Sequence, residues 1–454
     1  MKTRDESLDI LRRALRAAGG DEADASFTSI DQNITRFANS NVHQNMSEES
    51  AWLSLRVIIG GAIGVASTSS FDEEELARTA AVAREAAAHA GPTPGFCGLY
   101  QGNGDVPALT AFDEATARIS PATKATDLRA MFDSGRDAGV EFAGVYSTAS
   151  MSVACANSHG VDRYTTTTHV DATAIAIASS GSGYATQRAR RASDLSIETL
   201  GHEAIRRATL LAGQTEAFTP GTYDVILEPA AIAEVFEWLG MIAFTGQSYE
   251  DGSSFFVDQA DQQMFGENVT ISDDAIDESF LPFPFDLEGV PKRRVALIER
   301  GIIRRPVVDK LYADRLSLPL TGNCWQLGSS EHGSTLHLSM NGGESSREEM
   351  IASTKLGIWV TRFNYVNGLL EPKTALMTGT TRDGTFLVRE GKVVARLPNL
   401  RWTQSITEAF MNVEALTKER QIIGTWYNPF GGTIAPTAKI RNWTFTGQQE
   451  TGQL

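Results

Sequence analysis

Val140–Arg188 reads VEFAGVYSTASMSVACANSHGVDRYTTTTHVDATAIAIASSGSGYATQR. Small, threonine and apolar residues alternate along it, and Asn157–Gly160 interrupts the run with turn formers. Alternation at a period of two suits a pleated strand, so the stretch predicts an antiparallel hairpin. Upstream, Ala25–Asn45 (ASFTSIDQNITRFANSNVHQN) and Ala51–Thr68 (AWLSLRVIIGGAIGVAST) are rich in β-branched residues with turn residues between them, and also read as strands. Helices accompany them. Leu8, Leu11, Leu15 and Ala18 recur at spacings of three and four before Gly19-Gly20, and Ser70 stands three residues before Glu73 at capping-box spacing. Residues 1–215 therefore read as an α/β domain with an antiparallel sheet.

Pro220-Gly221 breaks the chain, and a strand at Tyr223–Leu227 opens a second domain, 220–454. Strand patterns dominate it, at LHLSM, GIWVTRFNYVNGL, TALMTGTTRDGTFLVREGKVVARLPNL and TAKIRNWTFTG. Ser346 and Glu349 again have capping-box spacing, with Gly357 as the expected helix stop. The fold class is α+β, with a large β-rich C-terminal domain. No fixed-period repeat is visible.

Composition narrows the function. The 454 residues carry 40 Lys+Arg against 56 Asp+Glu, a net charge of −16, which argues against nucleic acid as a partner. Cys97, Cys155 and Cys324 lie far apart, as expected of free thiols in a reducing, cytoplasmic setting. Charges threaded through the first twenty residues rule out a signal-peptide core, and the richest apolar window, Ala51–Ala66, is broken by Arg56 and by glycines, so no membrane span is expected. No Gly-Lys-Ser/Thr closes a glycine-rich loop, and no Gly-x-Ser-x-Gly elbow occurs.

Histidines are few. His202-Glu203 resembles the start of a zinc-protease helix, but Arg206 and Arg207 hold the positions where the second histidine would fall. Ile197, Leu200, Ala204, Ala208 and Leu211 form the apolar face of that helix, leaving Glu198, His202 and Arg206 on a solvated stripe. His332 and His337, five residues apart on a strand expected after Gly333, would face opposite ways, which disfavours a shared metal and suits polar lining of a cleft. Arg188, Arg190, Arg191, Arg206 and Arg207 make a basic island, read as solvated or as pairing with acidic residues of a partner subunit. Cys324 reads as a small buried residue.

Ser345–Tyr365 (SSREEMIASTKLGIWVTRFNY), with Thr321–Asn323 before it and Thr381–Val393 (TRDGTFLVREGKV) after it, resembles the core signature of the TldD/PmbA family of metallopeptidases. Tyr223–Pro229 (YDVILEP) followed by Gly246–Phe256 (GQSYEDGSSFF) resembles the same family's entry into its second domain. The resemblance implies a two-domain protein that dimerises around an internal chamber. In the zinc-bearing members it implies a His-Glu-x-x-x-His helix soon after VILEP and a late Gly-x-Cys, with the motif glutamate as general base.

Counted from Pro229, the His-Glu pair would fall near Glu237-Trp238 and the second histidine near Ile242, yet no histidine occurs between His202 and His332. No cysteine follows Cys324, and Ile422–Pro436 (IIGTWYNPFGGTIAP) occupies the late position. The chain is thus similar to the PmbA (TldE) side of the family. That likeness implies no catalytic residue, metal ligand or cofactor in this chain, zinc in a TldD-like catalytic partner, and a small or unfolded peptide as substrate. Self-dimerisation stays open, as do a stand-alone peptide or small-molecule binder and an enzyme with a repurposed, zinc-free pocket in a biosynthetic pathway. Asn323, His332, His337 and Arg362 are the expected substrate-binding residues, being polar and within or beside the family-like segments.

Overall fold

The computed structural model describes residues 1–102, 104–328, 332–425 and 428–448. Helix α1 (Arg4–Ala18) starts at a capping box between Thr3 and Glu6 and buries Leu8, Leu11, Ala14 and Ala18. Next come β1 (Glu22–Ala38), β2 (Asn41–Ile59), β3 (Ala62–Thr68) and α2 (Glu73–Ala90). After α3 (Glu114–Ala117), the chain repeats that order as α4 (Pro121–Asp137), β4 (Glu141–Asn157), β5 (Asp162–Ala178), β6 (Gly181–Ala189) and α5 (Ile197–Thr209). The six strands form one antiparallel sheet, β3-β2-β1-β4-β5-β6, in which β1 and β4 pair at the centre. It is a duplicated α-β-β-β-α unit. The two copies share connectivity rather than residue pattern, which is why the sequence shows no repeat.

Alternation along β4 gives this sheet its two faces. Ala154 and Ala156 pack toward α1 and α2, while Met151, Val153 and Cys155 face Phe283, Phe285, Leu287 and Phe430 of the second half. Small residues on one side let helices approach; larger ones on the other form an apolar joint between halves.

The second half begins with β7 (Gly221–Leu227) and α6 (Pro229–Ile242). Its remaining strands are β8 (Ile271–Asp273), β9 (Val295–Glu299), β10 (Ile302–Ile303), β11 (His337–Met340), β12 (Leu356–Glu371), β13 (Leu376–Arg389), β14 (Lys392–Arg396), β15 (Leu400–Ser405), β16 (Val413–Ile423) and β17 (Gly432–Gln448). Strand β7 pairs with both β12 and β17, so β7, β12, β13, β15 and β17 close into a ring. Phe363, Trp402 and Trp443 fill it, with ring centroids 4.7 to 5.6 Å apart. Aromatic pairs at such distances add about 0.5–1.5 kcal/mol each beyond their burial.

Several local expectations shift. The α2 cap is Asp72, whose side chain accepts the Glu75 N–H, rather than Ser70. The Ser346–Glu349 capping box forms, but its helix ends at Ala352 and Gly357 lies within β12. The strand expected after Gly333 begins only at His337, and His332 sits in a preceding loop at φ +51°.

Buried charges join the halves. Arg56 on β2 donates to Asp24 through Nε at 2.9 Å and Nη2 at 2.6 Å, and Nη2 also reaches Glu288 Oε1 at 2.9 Å. All three side chains are about 5 % exposed or less. Glu288 further accepts the Lys310 N–H, and Asp286 accepts those of Glu288, Val290 and Cys324. Burial drives the Glu288 carboxyl up to about 8 against the pull of Arg56. Removing one member of such a cluster leaves uncompensated buried charge, so Arg56→Ala is expected to cost about 3–5 kcal/mol, read as a lowered urea midpoint for the full chain.

Candidate functional site

Helix α6 positions the site. Ala231, Ile232, Val235, Phe236, Leu239 and Ile242 are buried in the main core, so most of its circumference is committed to packing. Glu234, Glu237, Trp238 and Met241, at i, i+3, i+4 and i+7, form the remaining stripe. Met241 is 43 % exposed, and the other three are half-buried.

A cavity of about 230 Å³ opens against this stripe. Glu237, Gly240 and Met241 form its floor, Trp325 and the 334–338 segment one wall, and Thr425, Asn428, Gly432 and Thr433 the other. Two glycines let the walls close in. A Cβ at Gly240 would lie 2.7 Å from Thr335 Oγ1, and one at Gly431 only 2.0 Å from the Leu336 carbonyl oxygen.

The far wall is pinned from behind. Asn428 accepts the N–H groups of Phe430 and Gly431 at 3.1 and 3.0 Å, and its Nδ2 donates to Leu336 O at 2.8 Å. Arg188 of β6, buried and held by Asp171 at 2.5 Å, donates Nη1 to Asn428 O at 3.0 Å and to Gly431 O. The arginines read as a solvated island therefore have internal work. Arg207 pairs with Glu203 and Glu228, and Arg347 bridges the same two carboxylates. Arg190 donates to Thr110 O.

Glu237 has no hydrogen-bonding or ion-pairing partner among the described residues. Burial, reinforced by Glu234, pushes its carboxyl up to about 8. Burial also raises Glu234, with Arg362 pulling the other way. This acidic pair is the feature that sequence reasoning missed. Its signal was available as two carboxylates, Glu234 and Glu237, three residues apart on an otherwise apolar helix.

None of the four expected substrate-binding residues is in the cavity lining. Asn323 and His337 meet at Asp273: Asn323 Nδ2 donates to Asp273 Oδ1 at 2.9 Å, and the His337 backbone N–H donates to Oδ2 at 3.0 Å. Asn323 also donates to Ser334 O at 3.0 Å, so it braces the wall. Strand alternation turns Leu338 into the cavity and His337 away from it, between Phe280 and Phe283, where Nε2–H donates to Phe430 O at 3.1 Å. His332 is separate, stacked 4.2 Å from the Tyr312 ring with Nδ1 3.0 Å from Asp309 Oδ2. Arg362 lies 4.3 Å over the Tyr184 ring and donates to Asp383. His202 is exposed on α5, and Cys324 is buried. Within the late segment, Trp426 and Tyr427 lie outside the described residues.

Zinc finds no ligand set here among the described residues. Among the described residues no three His, Cys, Asp or Glu side chains converge as a metal would require, and the cavity floor offers Glu237 alone. Nor is any described helix long and apolar enough to cross a membrane.

Comparison with known proteins matches residues 23–87, 114–212 and 220–447 to domain 1, the central domain and the C-terminal domain of the PmbA/TldA metallopeptidases. A metalloprotease TldD homolog of Buchnera aphidicola is 27 % identical over 220 residues, covering 45 % of this chain and 42 % of that protein. Metalloprotease MJ0996 of Methanocaldococcus jannaschii is 27 % identical over 210 residues, covering 44 % and 45 %. The chain thus spans under half the length of these two relatives. The crystal structure of TldE from Thermococcus kodakarensis superposes with a TM-score of 0.86 at 19 % identity, over 98 % of this chain and 100 % of that one, and so shares the fold.

Burial lowers both His337 and His169 to about 4. The unfolded chain takes up these protons near 6.5, and the folded chain refuses them until about pH 4. Stability is therefore full above this window and is lost as pH falls through it, by up to about 3 kcal/mol per histidine. His337→Gln is expected to flatten the curve of unfolding free energy against pH between 6.5 and 4, measured by denaturant titration at a series of pH values.

Proposed function

Because the chain belongs to the PmbA/TldA metallopeptidase family, we propose that it is a zinc-free subunit of a two-subunit peptidase, acting in the cytoplasm on small or unfolded peptides beside a TldD-like, zinc-bearing partner. The observation that carries this reading is the α6 stripe. Where a His-Glu-x-x-x-His helix would present its ligands, this helix presents Glu234, Glu237, Trp238 and Met241, and Ile242 is buried in the core. The shared fold with a TldE protein supports the same side of the family.

In this reading the chain binds and orients rather than cleaves. A half-buried carboxyl and the hydroxyls that line an apolar recess can fix one part of a peptide. Asn323 and His337 hold the wall in register, and Arg362 holds the flank next to Glu234. Each would shape the peptide site indirectly. A second reading is a self-dimer that binds a peptide or small molecule without hydrolysing it.

Zinc content and peptide cleavage, measured on the chain purified alone and after co-expression with a TldD-like protein, separate these readings. Zinc and cleavage are expected only in the co-purified complex. Stoichiometric zinc in the chain alone would sink the zinc-free assignment, and failure to co-purify would favour the self-dimer.

A further inference from the structure

The α6 cavity is small and asymmetric in its chemistry. At about 230 Å³ it falls below the roughly 300–1,000 Å³ typical of sites for drug-sized ligands, and so suits one side chain or one chain end. Trp325, Leu336, Leu338 and Met241 give it apolar walls, and among the described residues Glu237 is its one ionisable lining group. Ser334, Thr335, Asn428, Thr425 and Thr433 add polar groups to the lining, and among the described residues it holds no cation.

A half-buried carboxyl with no basic partner is costly to ionise unless a ligand supplies the counter-charge. The surrounding charges do not supply it. Glu234, one turn away on α6, is itself acidic. Arg362 on β12, the cation that acts on Glu234, is already held by Asp383 of β13 and stacked on Tyr184 of β6. Among the described residues the opposing walls contribute no ionisable side chain. An anionic ligand would meet only repulsion, whereas a cation on an apolar stem would satisfy both the carboxylate and the walls. Among the described residues a metal ion would find no further ligands.

We propose that the cavity between α6, the 334–338 segment and residues Thr425, Asn428, Gly432 and Thr433 binds a primary ammonium group carried on a short apolar stem, with the ammonium against Glu237 and the stem between Trp325 and Leu338. Such a group is either a lysine side chain of a peptide or the free amino terminus of a peptide with an apolar first residue. The inference deepens the peptide-binding reading above and takes the ligand's peptide nature from it. The isolated chain is enough to test it, so absence of a zinc-bearing partner would leave the result standing.

Binding requires Glu237 as the carboxylate, so below about pH 8 the ligand displaces a proton from it. Affinity for an amine then rises by about tenfold per pH unit between 6 and 7.5 and levels near 8, while affinity for the matching alcohol stays flat.

The experiment is an NMR titration of the full chain with n-pentylamine and n-pentanol at pH 6 to 8.5, on wild type and Glu237→Gln. Pentylamine is expected to bind at least about tenfold tighter than pentanol at pH 8, as a charge-assisted hydrogen bond would give. Glu237→Gln is expected to erase that difference and leave pentanol binding unchanged, which also reports an intact cavity. Nα-acetyl-lysine amide and leucine amide then identify the source, the former binding if the site takes a side chain and the latter if it takes a chain end. Equal binding of amine and alcohol, no binding of the amine, or an unchanged preference in Glu237→Gln would each overturn the proposal.

Discussion

The burial of α6 on most of its circumference is the constraint from which the rest of the second half follows. Six apolar side chains of this helix enter the same core as the aromatic cluster of the strand ring, each worth about 1.5–3 kcal/mol for the larger ones when removed from water. A helix so held can neither rotate nor slide without exposing them. The stripe of Glu234, Glu237 and Met241 is therefore fixed in orientation, and Glu237 stands at the cavity floor because most other positions of the helix are spent on packing.

Charge does for the joint between halves what apolar packing does within each. Arg56 ties β1 and β2 to Glu288, Arg188 ties β6 to the carbonyls of the cavity turn, and Arg207 with Arg347 ties α5 to Glu228 at the head of α6. Each guanidinium reaches a carboxylate or carbonyl far away in sequence. These contacts are directional and desolvated, so they fix register more than they add net stability.

What was legible in the sequence was whatever depends on neighbours along the chain. The β4–β5 hairpin and its turn followed from alternation, the Ser346 cap from spacing, and the place of α6 in the family pattern from counting residues after Pro229. What was hidden depends on partners distant in sequence. Ring closure by β7 and β17 joins segments more than two hundred residues apart. Arg188 and Arg207 read as solvated because Asp171, Glu228 and the 428–431 carbonyls are invisible at short range. Asn323, His332, His337 and Arg362 were chosen for polarity within family-like segments, and polarity alone does not say on which side of a strand a residue falls. His337 is the plain case, one residue from the cavity-lining Leu338 and facing the opposite way.

The grip of Arg188 on the cavity turn has a mechanical consequence. The guanidinium belongs to the first half of the chain, and the carbonyls it holds belong to the second, with the linker near Pro220 between them. Separated, each half would expose the apolar joint of Val153 and Phe283 and strand a buried cation or its acceptors. The two halves that look like tandem modules on paper thus cooperate as one folding unit. A shift of the β6 edge would reach the carbonyls beside the cavity through Arg188, and β16 through the Gln421 bond to Thr186 O.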